Sequence, residues 1–221
     1  MIAFRFWERV RYSAEGLRVS TRGLSKRGQE ELSVSFDSAE LLQEGEAFLR
    51  YVVDYLDRTG AKITAGQTLN YGYWLVKFEP VEGALDVWEQ EAGFMHFQHG
   101  VSLALRYWRD QHEICSLFEA AFDPPNPGDL TAISSGVLEG RPVQAVRYQF
   151  GEPMSGWLIV TDQYDGKVNS LTNHHSYHVT SRRPELAKFL ALPRGFRFDQ
   201  AAGERVWFDA EVANQETPNQ P

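Results

Sequence analysis

The chain has 221 residues, 43% apolar and 24% charged, which is enough to bury one large core or two small ones. Its formal net charge of −8 argues against nucleic acid as a partner, because phosphate binding needs a basic footprint. The single cysteine, Cys115, excludes an internal disulfide and a cysteine-based zinc site, and it fits a reducing compartment.

From the N-terminus, Met1 to Tyr12 is interrupted by Arg5, Glu8, Arg9 and Arg11 and lacks the apolar stretch of a signal peptide. No apolar run reaches the ~18 residues that would span a bilayer. The sequence therefore predicts a cytoplasmic protein without a membrane partner. Residues 30–36 alternate, placing Leu32, Val34 and Phe36 on one face of a strand. Asp37 or Ser38 then caps a helix, with Glu40 placed for a capping box with Asp37. Leu41, Leu42, Phe48, Leu49, Val52, Val53 and Leu56 recur at helical spacing, Gly45 weakens the run, and Gly60 closes it at C′.

Residues 71–79 are aromatic and β-branched and predict a strand. A second strand over 84–90 follows a turn at 80–83. Val101, Leu105, Trp108, His112, Cys115 and Phe118 form one face of a helix from about 100 to 121, and the prolines of 124–128 end it. Beyond this the texture is β-rich. Residues 144–150 alternate with Val146, Tyr148 and Phe150 inward, and they form a hairpin with 157–161. A strand is predicted over 168–179, a short helix from Pro184 and a last strand over 204–212. The expected fold class is α+β. An N-terminal α+β part, 1–135, packs two longer helices on a sheet, a smaller C-terminal α+β module spans 136–212, and 213–221 is a disordered tail.

The charge is unevenly spread. Residues 82–139 hold ten acidic side chains against Arg106 and Arg109, while the segments on either side are each neutral. Such a concentration suits a basic protein partner, since complementary fields speed encounter. Asp86, Glu89, Glu91, Asp110 and Glu113 are the candidate contacts.

Candidate chemistry is sparse. There is no Gly-x-Ser-x-Gly, Gly-x-Gly-x-x-Gly, Walker loop or His-Glu-x-x-His. His174, His175 and His178 invite a metal-dependent hydrolase. On a strand, however, His174 and His178 lie about 13 Å apart, too far to share one zinc. Cys115, with His112 one turn earlier, lies on the apolar face of its helix, where a thiol is buried and inert. Asp162 and Asp165 flank Tyr164 in an ordinary turn composition. Tyr71, Tyr73, Trp74, Phe94 and Phe97 are expected mainly in the core. The sequence predicts no cofactor, no metal and no catalytic residue.

Ser155-Gly156-Trp157, the acidic turn Asp162-Gln163-Tyr164-Asp165, the short helix Pro184–Leu190 and the closing Leu190-x-x-Pro193-x-Gly195-x-x-Phe198 together resemble the bacterial toxin-immunity domain of the thirty-third immunity class, formerly a domain of unknown function. Relatives carry a denser acidic run after the tryptophan and aspartates before the short helix. Here Thr161 and Gln163 interrupt the first, and Arg182-Arg183 replace the second. The resemblance implies an immunity protein that binds a cognate toxin, with a cytoplasm-acting nuclease as the leading expectation. Asp162, Tyr164 and Asp165 join the candidate contacts. An adaptor or chaperone for a secreted effector is the alternative binding role.

Overall fold

Period-two patterning in the first hundred residues builds one mixed sheet, and the pattern after residue 129 builds a second; the computed structural model describes residues 10–201 and 203–215. The fold class is α+β. Two compact units divide the chain, Met1–Arg109 and Asp110–Pro221. The division falls inside a helix, ahead of the compositional change near residue 135.

The first unit contains β1 (Arg11–Glu15), β2 (Arg18–Arg22), β3 (Glu31–Ser35), helix α1 (Leu42–Thr59), β4 (Thr68–Tyr71), β5 (Trp74–Val81), β6 (Ala84–Gln90), β7 (Phe97–His99) and the first half of α2 (Ser102–Leu117). Strand order is β1-β2-β3-β6-β5-β4, with β7 beside β6. Only β3 and β6 run parallel.

Helix α1 packs on β2 and β3 and buries Phe48, Leu49, Val52, Val53 and Leu56 against a core containing Leu32, Val34, Val76, Phe78, Leu85 and Val87. Each such side chain contributes ~1.5–3 kcal/mol, which outweighs the ~1 kcal/mol that Gly45 costs in helix propensity. Gly45 is there for space, since a β-carbon would stand 2.6 Å from the Phe36 ring. Tyr71, Tyr73 and Trp74 are core residues, with Tyr71 stacked on Trp108 at 4.1 Å, while Phe94 and Phe97 are half-buried.

Several expectations change in this unit. Ser38, not Asp37, is the cap, and the first turn is a 3-10 turn over Ala39–Leu41. The Asp37 carboxylate is taken by Arg106 at 2.6 and 3.0 Å. Pro80 lies within β5, and the turn is made by Glu82 and Gly83, both at positive φ. The strand expected over 71–79 is the end of β4, a turn at Gly72 and Tyr73, and β5, and the sequence pattern does not predict β1, β2 or β7.

The second unit holds the rest of α2, then β8 (Leu130–Ile133), β9 (Gln144–Arg147), β10 (Met154–Val160), β11 (Thr172–His175), α3 (Ser176–Arg182), a 3-10 segment over Pro184–Phe189, β12 (Phe196–Asp199), β13 (Arg205–Phe208) and α4 (Ala210–Ala213). The sheet order is β11-β8-β10-β9-β12-β13, with β8 and β10 parallel. Trp157, Ile159, Phe189, Leu190, Leu192 and Phe198 fill its core.

The strand expected over 168–179 is a 3-10 turn, β11 and then α3. The chain turns at Ser176, whose amide and hydroxyl both donate to the Asp129 carbonyl. Strand β9 stops at Arg147, leaving Phe150 45% exposed, not inward. The last strand ends at Phe208, because Asp209 caps α4 through the amides of Glu211 and Val212. Ala213 thus closes a helix, and the part of the expected tail over 216–221 lies outside the described residues. No helix among the described residues is long and apolar enough to cross a membrane.

Candidate partner-binding surface

The residues that carry the family resemblance are mostly inside the second unit. Gly156 sits at φ +83 in a register break of β10, and a β-carbon there would run into the Tyr148 carbonyl. Only glycine takes this conformation at so close a backbone approach without cost. Trp157 is buried and donates its indole N–H to the Leu190 carbonyl at 3.0 Å. Phe198 stacks on Phe189 at 4.4 Å. The Ser155 hydroxyl meets Thr131 Oγ1 at 2.9 Å, and Thr131 meets Ser176 at 2.8 Å, so three buried hydroxyls join β10, β8 and α3.

Two buried arginines hold the loops. Arg147 donates to the carbonyls of Ser155 (3.2 Å), Leu192 (2.7 Å) and Asp123, and burial lowers its pKa. Arg183, 5% exposed, donates to the carbonyls of Val137 (2.7 Å) and Arg141 (3.0 Å), to Gln200 Oε1 (2.9 Å) and to Glu185 (2.6 Å). The arginine that replaces an expected acidic residue is therefore part of the fold. A buried guanidinium satisfies several carbonyls at once, which a carboxylate cannot do.

The turn after β10 is the exposed part of the signature, and it brings Asp162, Tyr164 and Asp165 together. Asp162 accepts a bidentate pair from Arg141 at 2.7 and 3.0 Å, and this contact holds its carboxyl below the usual range. Asp165 accepts from the Ser170 hydroxyl at 2.6 Å and the Lys167 amide at 3.0 Å, with the Lys167 ammonium at 3.6 Å. Its carboxyl is lowered by the same contacts. Tyr164 is half-buried, and its amide donates to the Thr161 carbonyl. Sequence reasoning missed Arg141, which neutralises Asp162, and the exposed Val168. The one signal for Val168 is an apolar residue alone in the polar run Lys167-Val168-Asn169-Ser170.

The five earlier acidic candidates are divided between the two units. Asp86, Glu89 and Glu91 belong to the first unit, Asp110 and Glu113 to the second. Asp86 is 1% exposed and held by Ser33 (2.6 Å), His99 (2.8 Å) and Arg18 (3.2 Å). Glu89 is 2% exposed and accepts the amides of Leu103 and Ala104 in the first turn of α2. Burial pushes its carboxyl up to about 7 against those donors. Burial removes both residues from any exposed acidic face. Glu91 accepts the amides of Gly93 and Met95, a local turn. On α2, Asp110 is half-buried and Glu113 exposed. Residues 110–140 hold six acidic side chains and no lysine or arginine.

The histidines lie at the β11–α3 junction. His175 Nδ1 pairs with the Gly128 carbonyl at 2.7 Å, His174 with Thr172, and Tyr177 stacks on His175. Burial, then His175 and His174, lower the pKa of His178. No group of three or more His, Cys, Asp or Glu among the described residues is arranged to hold a metal ion. Cys115 is buried and donates to the Ala191 carbonyl, and burial pushes its thiol up to about 11.

No curated protein and no solved structure matches the chain. Residues 110–209 match the model of the Imm33-like domain. That span begins where the second compact unit begins, and the second unit is similar to an Imm33-like domain.

Proposed function

We propose that this chain is an immunity protein that neutralises a cognate bacterial toxin by binding it, with no bond-making step of its own. The Imm33-like match over 110–209 carries the proposal. Three features support it. The matched unit carries fifteen acidic side chains against nine basic, and so most of the net charge. Outside the exposed turn, its signature polar groups are consumed by the fold. Its exposed turn is braced by hydrogen bonds and ion pairs from Arg141, Lys167 and Ser170, which suits a docking surface. The finer reading is a basic, cytoplasm-acting nuclease as the toxin, since a negative field draws a protein whose own cleft must hold phosphate. The contacts would be Asp162, Tyr164 and Asp165 with Glu113 and Asp110. We assign the domain roles accordingly, the C-terminal unit binding the toxin.

The test is co-expression with the polypeptide encoded by the neighbouring gene. Restored growth together with a purified complex is expected. Growth restored without a complex contradicts binding as the mechanism. A complex without restored growth favours the adaptor role. A metal ion retained by the wild type but lost on His175→Ala or His178→Ala, accompanied by substrate turnover, would favour the hydrolase.

A further inference from the structure

We propose that the loop over 134–141 and the turn over 161–170 form one preorganised projection, and that its apex, Val168, enters an apolar pocket on a basic protein partner. This rests on the immunity reading and specifies its surface. Val168 is 79% exposed, the most exposed large apolar side chain in the second unit among the described residues. A solitary exposed apolar residue is ordinary; the support beneath this one is not. Val168 opens a 3-10 turn whose ends are closed by Ser170 N–H to the Lys167 carbonyl and Leu171 N–H to the Val168 carbonyl. Asp165 clamps both the Lys167 amide and the Ser170 hydroxyl.

The base of the projection is tied across to the neighbouring loop. The Thr161 amide donates to Ser134 Oγ at 2.9 Å, and its hydroxyl donates to the Ser135 carbonyl at 2.7 Å. Arg141 binds Asp162 bidentately. Gly136 stands at φ +87 beneath them, where a β-carbon would lie 2.6 Å from Arg141 Cδ and 3.0 Å from Gln163 Oε1, so this position requires glycine. Arg183 then anchors the loop to the body of the unit through the carbonyls of Val137 and Arg141. Arg183 is thus a positioning residue. It touches no partner but fixes the loop that fixes the turn.

Charge identifies the occupant. Asp162 and Asp165 are paired with Arg141 and Lys167, so the projection itself is nearly neutral. The unit that carries it is strongly acidic, and its field draws a cationic protein. A neutral, rigid, apolar-tipped contact inside an attracting field avoids the ordering cost that a mobile loop incurs on binding.

The experiment measures binding of the full chain and its Val168→Asp, Val168→Ala and Arg183→Lys variants to the toxin domain encoded by the neighbouring gene, alongside amide exchange of each free chain. Val168→Asp should lose at least 100-fold in affinity with an unchanged melting temperature, and Val168→Ala about tenfold. Arg183→Lys keeps the charge and loses the fork. It should raise amide exchange only over 137–141 and 161–170 and quicken dissociation about tenfold. If the wild type binds and Val168→Asp binds equally well, the projection is overturned while the immunity reading stands. If Val168→Asp alters only self-association, the occupant is a second copy and the proposal fails. Exchange raised throughout the unit by Arg183→Lys would overturn its positioning role. If the wild type neither binds nor protects, the immunity reading falls, and this surface with it.

Discussion

Within the second unit, two stretches of the same signature have opposite uses. Ser155-Gly156-Trp157 and Leu190 to Phe198 are interior, spent on a strand irregularity, an indole hydrogen bond and aromatic stacking. The segment from Asp162 to Ser170 is exposed except for the half-buried Tyr164. Residues that identify such a module therefore mark how it folds.

Substitutions separate these uses, and the largest effect belongs to the interior. Trp157→Ala removes a buried ring and leaves the Leu190 carbonyl only its longer bond from Arg147, at 3.4 Å. A loss of about 3–5 kcal/mol is expected, read as a collapsed urea midpoint for the second unit. Gly156→Ala should cost about 3 kcal/mol by the same measurement, because the new β-carbon meets backbone that cannot move aside. Thr131→Val breaks the hydroxyl relay to Ser155 and Ser176 and should cost about 1–3 kcal/mol. A midpoint unchanged by any of these would show that the signature is not structural. At the exposed end, Asp162→Asn should leave the urea midpoint essentially unchanged, since an exposed pair is worth little.

The first unit carries a pH signature of its own in the buried Glu89. The folded-state pKa of Glu89 is raised to about 7, so the protonated carboxyl favours the folded form. Its contribution is full at low pH and is lost as pH rises through the window from about 4.5 to about 7. The unfolding free energy of the first unit, read from urea titrations, should fall across that window by up to about 1.4 kcal/mol per pH unit. Glu89→Gln should flatten the profile; a slope that persists in the variant would assign it elsewhere.

Much of the architecture was legible in sequence. The helix around Phe48 to Leu56 and the strands at 31–35 and 84–90 follow plain periodicity closed by standard turn and cap residues. What failed has two causes, unreported burial and contacts between residues distant in sequence. Arg147, Ser33 and Asp86 are polar residues of expected strands, yet they are buried, because hydrogen bonds compensate them. The same blindness set Asp86 and Glu89 on an acidic surface, since charge counts do not report burial. The segment from Val168 to Val179 has strand-like composition. Its helical half depends on Ser176 finding Asp129 and Thr131, which are distant in sequence. The exposed turn was visible as a turn, but its neutralisation by Arg141 arises from a contact 21 residues away.

The most direct test of binding without chemistry is a titration of toxin activity with this chain at several incubation times. Inhibition by occupancy should reach completion at one fixed molar ratio of chain to toxin, the same at every time point. A trace of chain that abolishes an excess of toxin progressively with time would contradict the account.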